Sequence, residues 1–150
     1  MKLLLKILSI GILTCAFTAC ASKPTHLELV VNSDNDLNPD VNNVSSPLML
    51  TFYELESAEN FIKYDYWTLM EESGKNLNRD LISQVKHVII PHQKQTYKIV
   101  FNDDARFLGV IGQFRNIQNK NKWKYVINLE KDSYNFSELK IHEYNIERVE

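Results

Sequence analysis

The sequence predicts a mainly β protein, a two-sheet β-sandwich with a short helical insertion. Three observations carry that reading. Apolar residues recur at period two in short runs along most of the chain after residue 25, as half-buried strands require. Asn and Asp cluster between those runs, where turns are needed. And 150 residues, 44% hydrophobic and 24% charged, suffice for one packed core but not two.

The strands follow in order. Leu27, Leu29 and Val31 alternate with His26, Glu28 and Asn32, which gives a first strand with one buried face. Leu48 to Leu55 is nearly unbroken in its apolar character and predicts a strand covered on both faces. Val85 to Ile90, then Tyr97, Ile99 and Phe101, then Phe107 to Phe114 supply three more. Trp123, Tyr125, Ile127 and Leu129 alternate with Lys122, Lys124 and Asn128, the clearest alternation in the chain. Leu139 and Ile141 begin a last strand, and Tyr144 and Ile146 fall in the opposite phase, which a bulge between them would reconcile. That makes seven strands. Only Gly74, Gly109 and Gly112 follow the first twenty residues, so turns must rely on Asn42-Asn43, Asp103-Asp104 and the 116–121 stretch.

One segment breaks the β pattern. Ser57 and Asp65 are good helix N-caps, and Phe61, Ile62, Tyr66, Trp67, Leu69 and Met70 give an apolar face at helical spacing. A helical insertion between Leu55 and Val85, laid over the outer face of the second strand, explains why that strand is apolar throughout.

The connection from Asp34 to Ser46 is the other anomaly. Its thirteen residues are mostly Asp, Asn and Ser, with Pro39. Connections beyond about 12 residues tend to be functional or disordered. Two readings stand: a tolerated surface insertion, or a recognition loop presented by a rigid scaffold.

The first residues read as an address. Lys2 and Lys6 supply a positive start, and Ile7 to Leu13 a short apolar stretch, well under the roughly 20 residues of a membrane-spanning helix. Phe17-Thr18-Ala19-Cys20 is similar to the bacterial lipobox, with Phe17 in place of the usual Leu. The organisation expected is a signal peptide over 1–19, a lipidated Cys20 and tether over 20–25, and a sandwich domain over 26–150. The alternative is a plain signal peptide with a cysteine nearby. Acyl chains on Cys20 would hold the chain on a membrane, each buried methylene contributing about 0.8 kcal/mol. Ala21 stands where inner-membrane lipoproteins carry a retention Asp, so by that analogy the destination is the outer membrane, facing the periplasm.

Chemistry is hard to find. The formal charge of −2 gives no electrostatic footprint for nucleic acid, and Cys15 and Cys20, both near the start, are too few for a disulfide scaffold. His26, His87, His92 and His142 are isolated in sequence, and no cysteine follows Cys20, so no metal site is expected. His142-Glu143 begins like a metalloprotease motif, but Ile146 stands where the second His belongs. Glu71-Glu72 and Asp103-Asp104 are neighbours that point apart on a helix or strand and do not suit paired acid–base work. Lys120, Lys122 and Lys124 around Trp123 read as a solvated strand face rather than a nucleic-acid site. No nucleophile elbow, phosphate loop or dinucleotide fingerprint occurs. No enzyme and no cofactor are expected.

Two blocks resemble a known family. Leu37 to Leu55 reads LNPDVNNVSSPLMLTFYEL, followed by Phe61, Asp65, Trp67 and Leu69; Asp104 to Asn116 reads DARFLGVIGQFRN, followed by Trp123. With the lipobox, this ordered set resembles the outer-membrane lipoprotein of type VI secretion, the TssJ family. It spans about two-thirds of the chain from Cys20 on.

The resemblance implies a transthyretin-like sandwich with added helices. It also implies a lipid anchor on the outer membrane and a partner, the periplasmic C-terminal domain of the inner-membrane protein TssM. In the family the loop after the first strand makes that contact, which maps here to Leu37, Asn38, Pro39, Asp40, Val41, Asn42, Asn43 and Val44. This chain has Asn43-Val44 where the family commonly has Gly-Arg, and Thr51 where an Arg is common. Asn can hold the left-handed turn, but Val44 cannot replace an arginine's charge. Gly109 and Gly112 imply close approach of another element. Pro47 and Tyr53 read as structural; Arg115, at the strand end, could bridge carboxylates or carbonyls with its planar fork, and the preferred reading is a structural hydrogen-bond donor. Two alternatives remain: a pilot protein for an outer-membrane channel, or a carrier of a small apolar ligand, which needs a cavity of about 300 Å³ or more.

Overall fold

A computed structural model of the chain describes residues 23–118, 120 and 122–149; the expected signal segment 1–19 and Cys20 lie outside them. The strands are β1 (His26–Ser33), β2 (Leu48–Leu55), β3 (Leu81–Ile89), β4 (Gln93–Val100), β5 (Phe107–Gly112), β6 (Lys124–Asn128), β7 (Tyr134–His142) and β8 (Asn145–Arg148). They form two four-stranded sheets, ordered β4-β1-β7-β8 and β3-β2-β5-β6. Only β1 and β7 run parallel; the other paired neighbours are antiparallel.

Alternation decides what lies between the sheets. Leu27, Leu29 and Val31 of β1 meet Leu48, Leu50 and Phe52 of β2, joined by Val110, Ile127, Leu139 and Ile141, in one buried cluster. The opposite phase of β2 is buried as well: Tyr53 and Leu55 join Phe61, Leu69, Leu77 and Ile111 in a second cluster outside the sandwich. That second layer is the reason β2 is apolar throughout.

The insertion supplies this layer as α1 (Glu59–Lys63), α2 (Tyr66–Met70) and a 3-10 stretch, Glu71–Asp80. Asp65 caps α2, its carboxylate accepting from the Thr68 N–H at 2.8 Å. Ser57 accepts only a 3.3 Å contact from the Glu59 N–H, and the N-cap position of α1 belongs to Ala58. The expected continuous apolar face is not there: Phe61 and Leu69 are buried, whereas Ile62 and Trp67 are exposed. The chain turns extended at Tyr64, so each helix is a single turn of five residues and can bury only one large side chain. The Phe61 ring lies on the backbone of β5, where a Cβ on Gly109 would come within 2.7 Å of it. This is the close approach the glycine permits. At Gly112 the crowding atom is the nearby Phe114 ring, at 2.5 Å.

Three further expectations are corrected. The last strand is not bulged; β7 and β8 are separate strands joined by a two-residue turn at Glu143-Tyr144, with Glu143 at φ 45. The turn itself resets the phase, so Ile141 and Ile146 pair directly across it. β3 begins at Leu81 rather than Val85, because polar Ser83 and Gln84 pair with β2 at the sheet edge and carry no apolar signal. And Lys124 is not solvated: its ammonium donates to the carbonyls of Phe61, Ile62 and Tyr64 at 2.7–2.8 Å. It closes the C-terminal end of α1, where unpaired carbonyls and the negative end of the helix favour a cation. Burial pushes its pKa down, with the Asp65 carboxylate opposing.

Candidate functional site

The 34–46 connection leaves β1 at the end of the sandwich away from the described N-terminus. Eight residues of strand separate the two ends, roughly 26 Å. The connection has a defined shape because its polar groups are paired, not because it has an apolar face. Asp34 donates from its N–H to the Ile141 carbonyl at 2.9 Å, and its carboxylate pairs with Lys140 at 2.9 Å. Leu37 is fully buried and is the one loop side chain in the main core.

Asn38, also buried, is the hub. Its backbone N–H donates to the Glu143 carbonyl at 2.8 Å, its side-chain amide donates to the Pro47 carbonyl at 3.0 Å, and its side-chain oxygen accepts from the Arg115 N–H at 2.8 Å. One residue thus joins the loop to the turn after β7 through its backbone, and to the segment after β5 through its side chain. Asn38 also sits at φ 47, a region that Asn tolerates better than most residues. Beyond it, the Tyr144 hydroxyl donates to the Pro39 carbonyl at 2.9 Å.

The tip is organised by Asp40. Its carboxylate accepts from the N–H groups of Asn42 at 2.8 Å and Val44 at 2.9 Å. The bond from Val44, then that from Asn42, holds the carboxyl below its ordinary range, with Arg115 adding a smaller attraction. Asn43 takes φ 61, the left-handed position that a glycine would otherwise fill. Beside Asn42 and Asn43 this frame presents two apolar side chains, Val41 at 97% and Val44 at 60% exposure. Side chains of Pro39, Asp40, Val41 and Asn43 face Arg115, Asn116 and Tyr144 across an open groove of about 730 Å³.

The eight residues singled out in the sequence therefore divide. Leu37 and Asn38 point inward and fix the loop. Val41, Asn42, Asn43 and Val44 are exposed, with Pro39 and Asp40 half-buried between. The groove's far wall could not be read from sequence. Arg115 lies 77 residues beyond Asn38 and Tyr144 lies 105 beyond Pro39; neither shares a local pattern with the loop, and only folding unites them. Arg115 is a structural donor through its backbone N–H, while its side chain is exposed and attracts the Asp40 carboxylate. Tyr53 is buried against Phe61 at 5.5 Å between ring centroids, and burial raises its pKa. Pro47 is exposed and serves through its carbonyl.

Elsewhere, no group of three or more His, Cys, Asp or Glu converges on a possible metal position among the described residues. The His87 ring packs at a tilt against Phe52 and Tyr97, with centroids 4.8 and 4.6 Å apart, and burial lowers its pKa. These three rings line a cleft of about 320 Å³ between the edge strands β3 and β4. The cleft is large enough for a small apolar ligand but open along that flank, where Val85 is exposed. No helix among the described residues is long and apolar enough to cross a membrane.

Comparison with known proteins agrees with this architecture. Among solved structures, the lipoprotein TssJ1 of the Pseudomonas aeruginosa type VI secretion system superposes with a TM-score of 0.79 at 22% identity, covering 84% of this chain and 95% of that one. Serratia marcescens Lip, a membrane-bound component of the same type of system, gives 0.77 at 18% identity, covering 85% and 99%. A chain in a structure described as the TssM C-terminal domain from EAEC gives 0.70 at 21% identity, covering 84% and 98%. No curated protein sequence matches the chain. The sequence profile of the type VI secretion lipoproteins (T6SS-SciN: VasD, EvfM, TssJ) matches residues 25–144, from the first residue before β1 to the turn before β8. With that match across nearly the whole sandwich, the chain belongs to the type VI secretion lipoprotein family.

Proposed function

We propose that this chain is a non-enzymatic, lipid-anchored component of a type VI secretion membrane complex at the outer membrane, and that it binds the periplasmic C-terminal domain of TssM through the tip of its 34–46 loop. Lipid on Cys20 would anchor it after removal of residues 1–19. The observation that carries the reading is the loop itself: a polar-braced frame that exposes Val41 and Val44 at its tip. An exposed apolar pair on a pre-shaped loop binds at low ordering cost. Family membership supports the assignment, as does the description of one structurally similar chain's structure as a TssM C-terminal domain. Carriage of an apolar ligand is the weaker reading, because the β3–β4 cleft would leave its occupant exposed to water.

Calorimetric titration of the soluble chain from Ala21 with the TssM C-terminal domain of the same genome tests this. Saturable binding is expected, lost when Val41→Asp and Val44→Asp are combined. Point changes at the tip are preferable to a deletion of 37–44, which would pull Leu37 from the core and leave the partners of Asn38 unpaired. Undiminished binding by the double variant would move the interface off the loop, and no binding by the intact chain would remove TssM as partner.

A further inference from the structure

The outer face of the sheet β4-β1-β7-β8 is apolar at one end only. Val100, His26 and Tyr134 stand side by side across β4, β1 and β7, followed on the same face by Lys98, Glu28 and Phe136. Val100, Tyr134 and Phe136 are 61%, 67% and 56% exposed. These belong among the larger apolar side chains that the described surface shows to water, and contiguous apolar surface of this kind marks an interaction site more often than single residues do. The rest of this face, toward the loop, carries ion pairs instead, Lys94 with Glu138 and Lys140 with Asp34.

The chain enters the domain at this same end. Lys23 and Pro24 line an open pocket together with His26, Ser133 and Tyr134, and the Pro24 carbonyl lies 2.6 Å from the His26 ring nitrogen. Cys20 precedes Lys23 by three residues, which span at most about 11 Å. A lipid on Cys20 would therefore bring the headgroup layer within reach of Tyr134, Phe136 and Val100.

We propose that the Val100–Tyr134–Phe136 patch seats on the phospholipid surface beside the anchor. The inference rests on lipidation of Cys20 and adds the face by which the domain lies against the membrane. Aromatic rings suit this layer, since Tyr combines an apolar body with a polar tip. The Tyr134 hydroxyl already has one partner, donating to Glu28 at 2.6 Å. Exposed Lys23, Lys98 and Lys131 flank the patch together with Glu130 and Asp132, so the rim has no strong net charge. The contact is accordingly with zwitterionic headgroups through apolar surface, not an electrostatic attraction to anionic lipid. Seating this end directs the loop tip, at the other end of β1, away from the anchor.

The test uses the full lipidated chain in vesicles of phosphatidylethanolamine with a minor share of phosphatidylglycerol. An environment-sensitive fluorophore is placed on a single cysteine, at Lys98→Cys within the face or at Asn42→Cys on the loop tip. Blue-shifted emission quenched by brominated lipid is expected at 98 and absent at 42. Adding Tyr134→Ser and Phe136→Ser should abolish the shift at 98 while the chain stays folded by circular dichroism and membrane-bound through its lipid. No shift at 98, or a shift that survives the double substitution, overturns the contact. A shift that grows with protein density and resists lipid quenching assigns the patch to a second copy and also overturns it. Failure of the anchor is read separately: a chain whose mass shows no lipid on Cys20 removes the basis of the proposal and of the anchoring reading together.

Discussion

Two long connections flank β2, and they are held in opposite ways. The 34–46 loop before it keeps its shape through hydrogen bonds around Asn38 and Asp40, with only Leu37 reaching the core. The insertion after it is held by apolar burial, with Phe61, Leu69 and Leu77 fully enclosed on the outer face of the sheet. The difference shows what each connection is free to do. The insertion commits Phe61, Leu69 and Leu77 to the fold and leaves Ile62 and Trp67 at its surface. A segment held by polar bonds leaves Val41 and Val44 available to a partner.

The largest effect should come from the apolar side of this comparison. Phe61→Ala removes the ring that covers Gly109 and the contact with Tyr53, and should cost about 3–5 kcal/mol in urea unfolding. A cost under about 1 kcal/mol would mean that the insertion is an independent lid rather than part of the core.

A smaller loss is expected for Asn38→Ala, which leaves the Arg115 N–H and the Pro47 carbonyl without their partner. Unsatisfied groups of this kind cost about 1–3 kcal/mol. The same variant should weaken TssM binding beyond what its stability explains, because the tip loses its frame. Unchanged binding would show that the tip holds its own shape.

The smallest effect sharpens the contrast through pH. The Asp40 carboxyl is held below its ordinary value of 3.8 by the N–H groups of Val44 and Asn42. A lowered carboxyl pKa stabilises the tip above the ordinary value, and that contribution is lost as pH falls through the lowered one. The protection factors of the Asn42 and Val44 amides, measured against intrinsic exchange at each pH, should therefore fall below about pH 3.8, while those of the insertion hold. Asp40→Asn should remove the pH dependence. Equal loss of protection in both regions would indicate global acid unfolding instead.

Legibility in the sequence follows the same division. β2 was readable to the residue, because a strand buried on both faces is apolar without interruption. The insertion was readable as a covering layer but not as two separate turns, since the break at Tyr64 carries no Gly or Pro. Lys124 carries no sequence sign of its role, because its partners are backbone carbonyls some sixty residues away, which leave no mark on the local pattern. The turn at Glu143-Tyr144 has no sequence signal, because neither residue is a usual turn former.

By itself, the sequence determined the two-sheet class, the strand phases and the unusual length of the 34–46 loop, because periodicity and composition act through neighbours along the chain. Tertiary structure alone decided which loop residues face inward, which distant residues wall the groove, and that Tyr134, Phe136 and Val100 share one face. Burial and hydrogen-bond pairing are set by segments far apart in the chain, and period-two alternation fixes a side chain's face without naming what lies across from it.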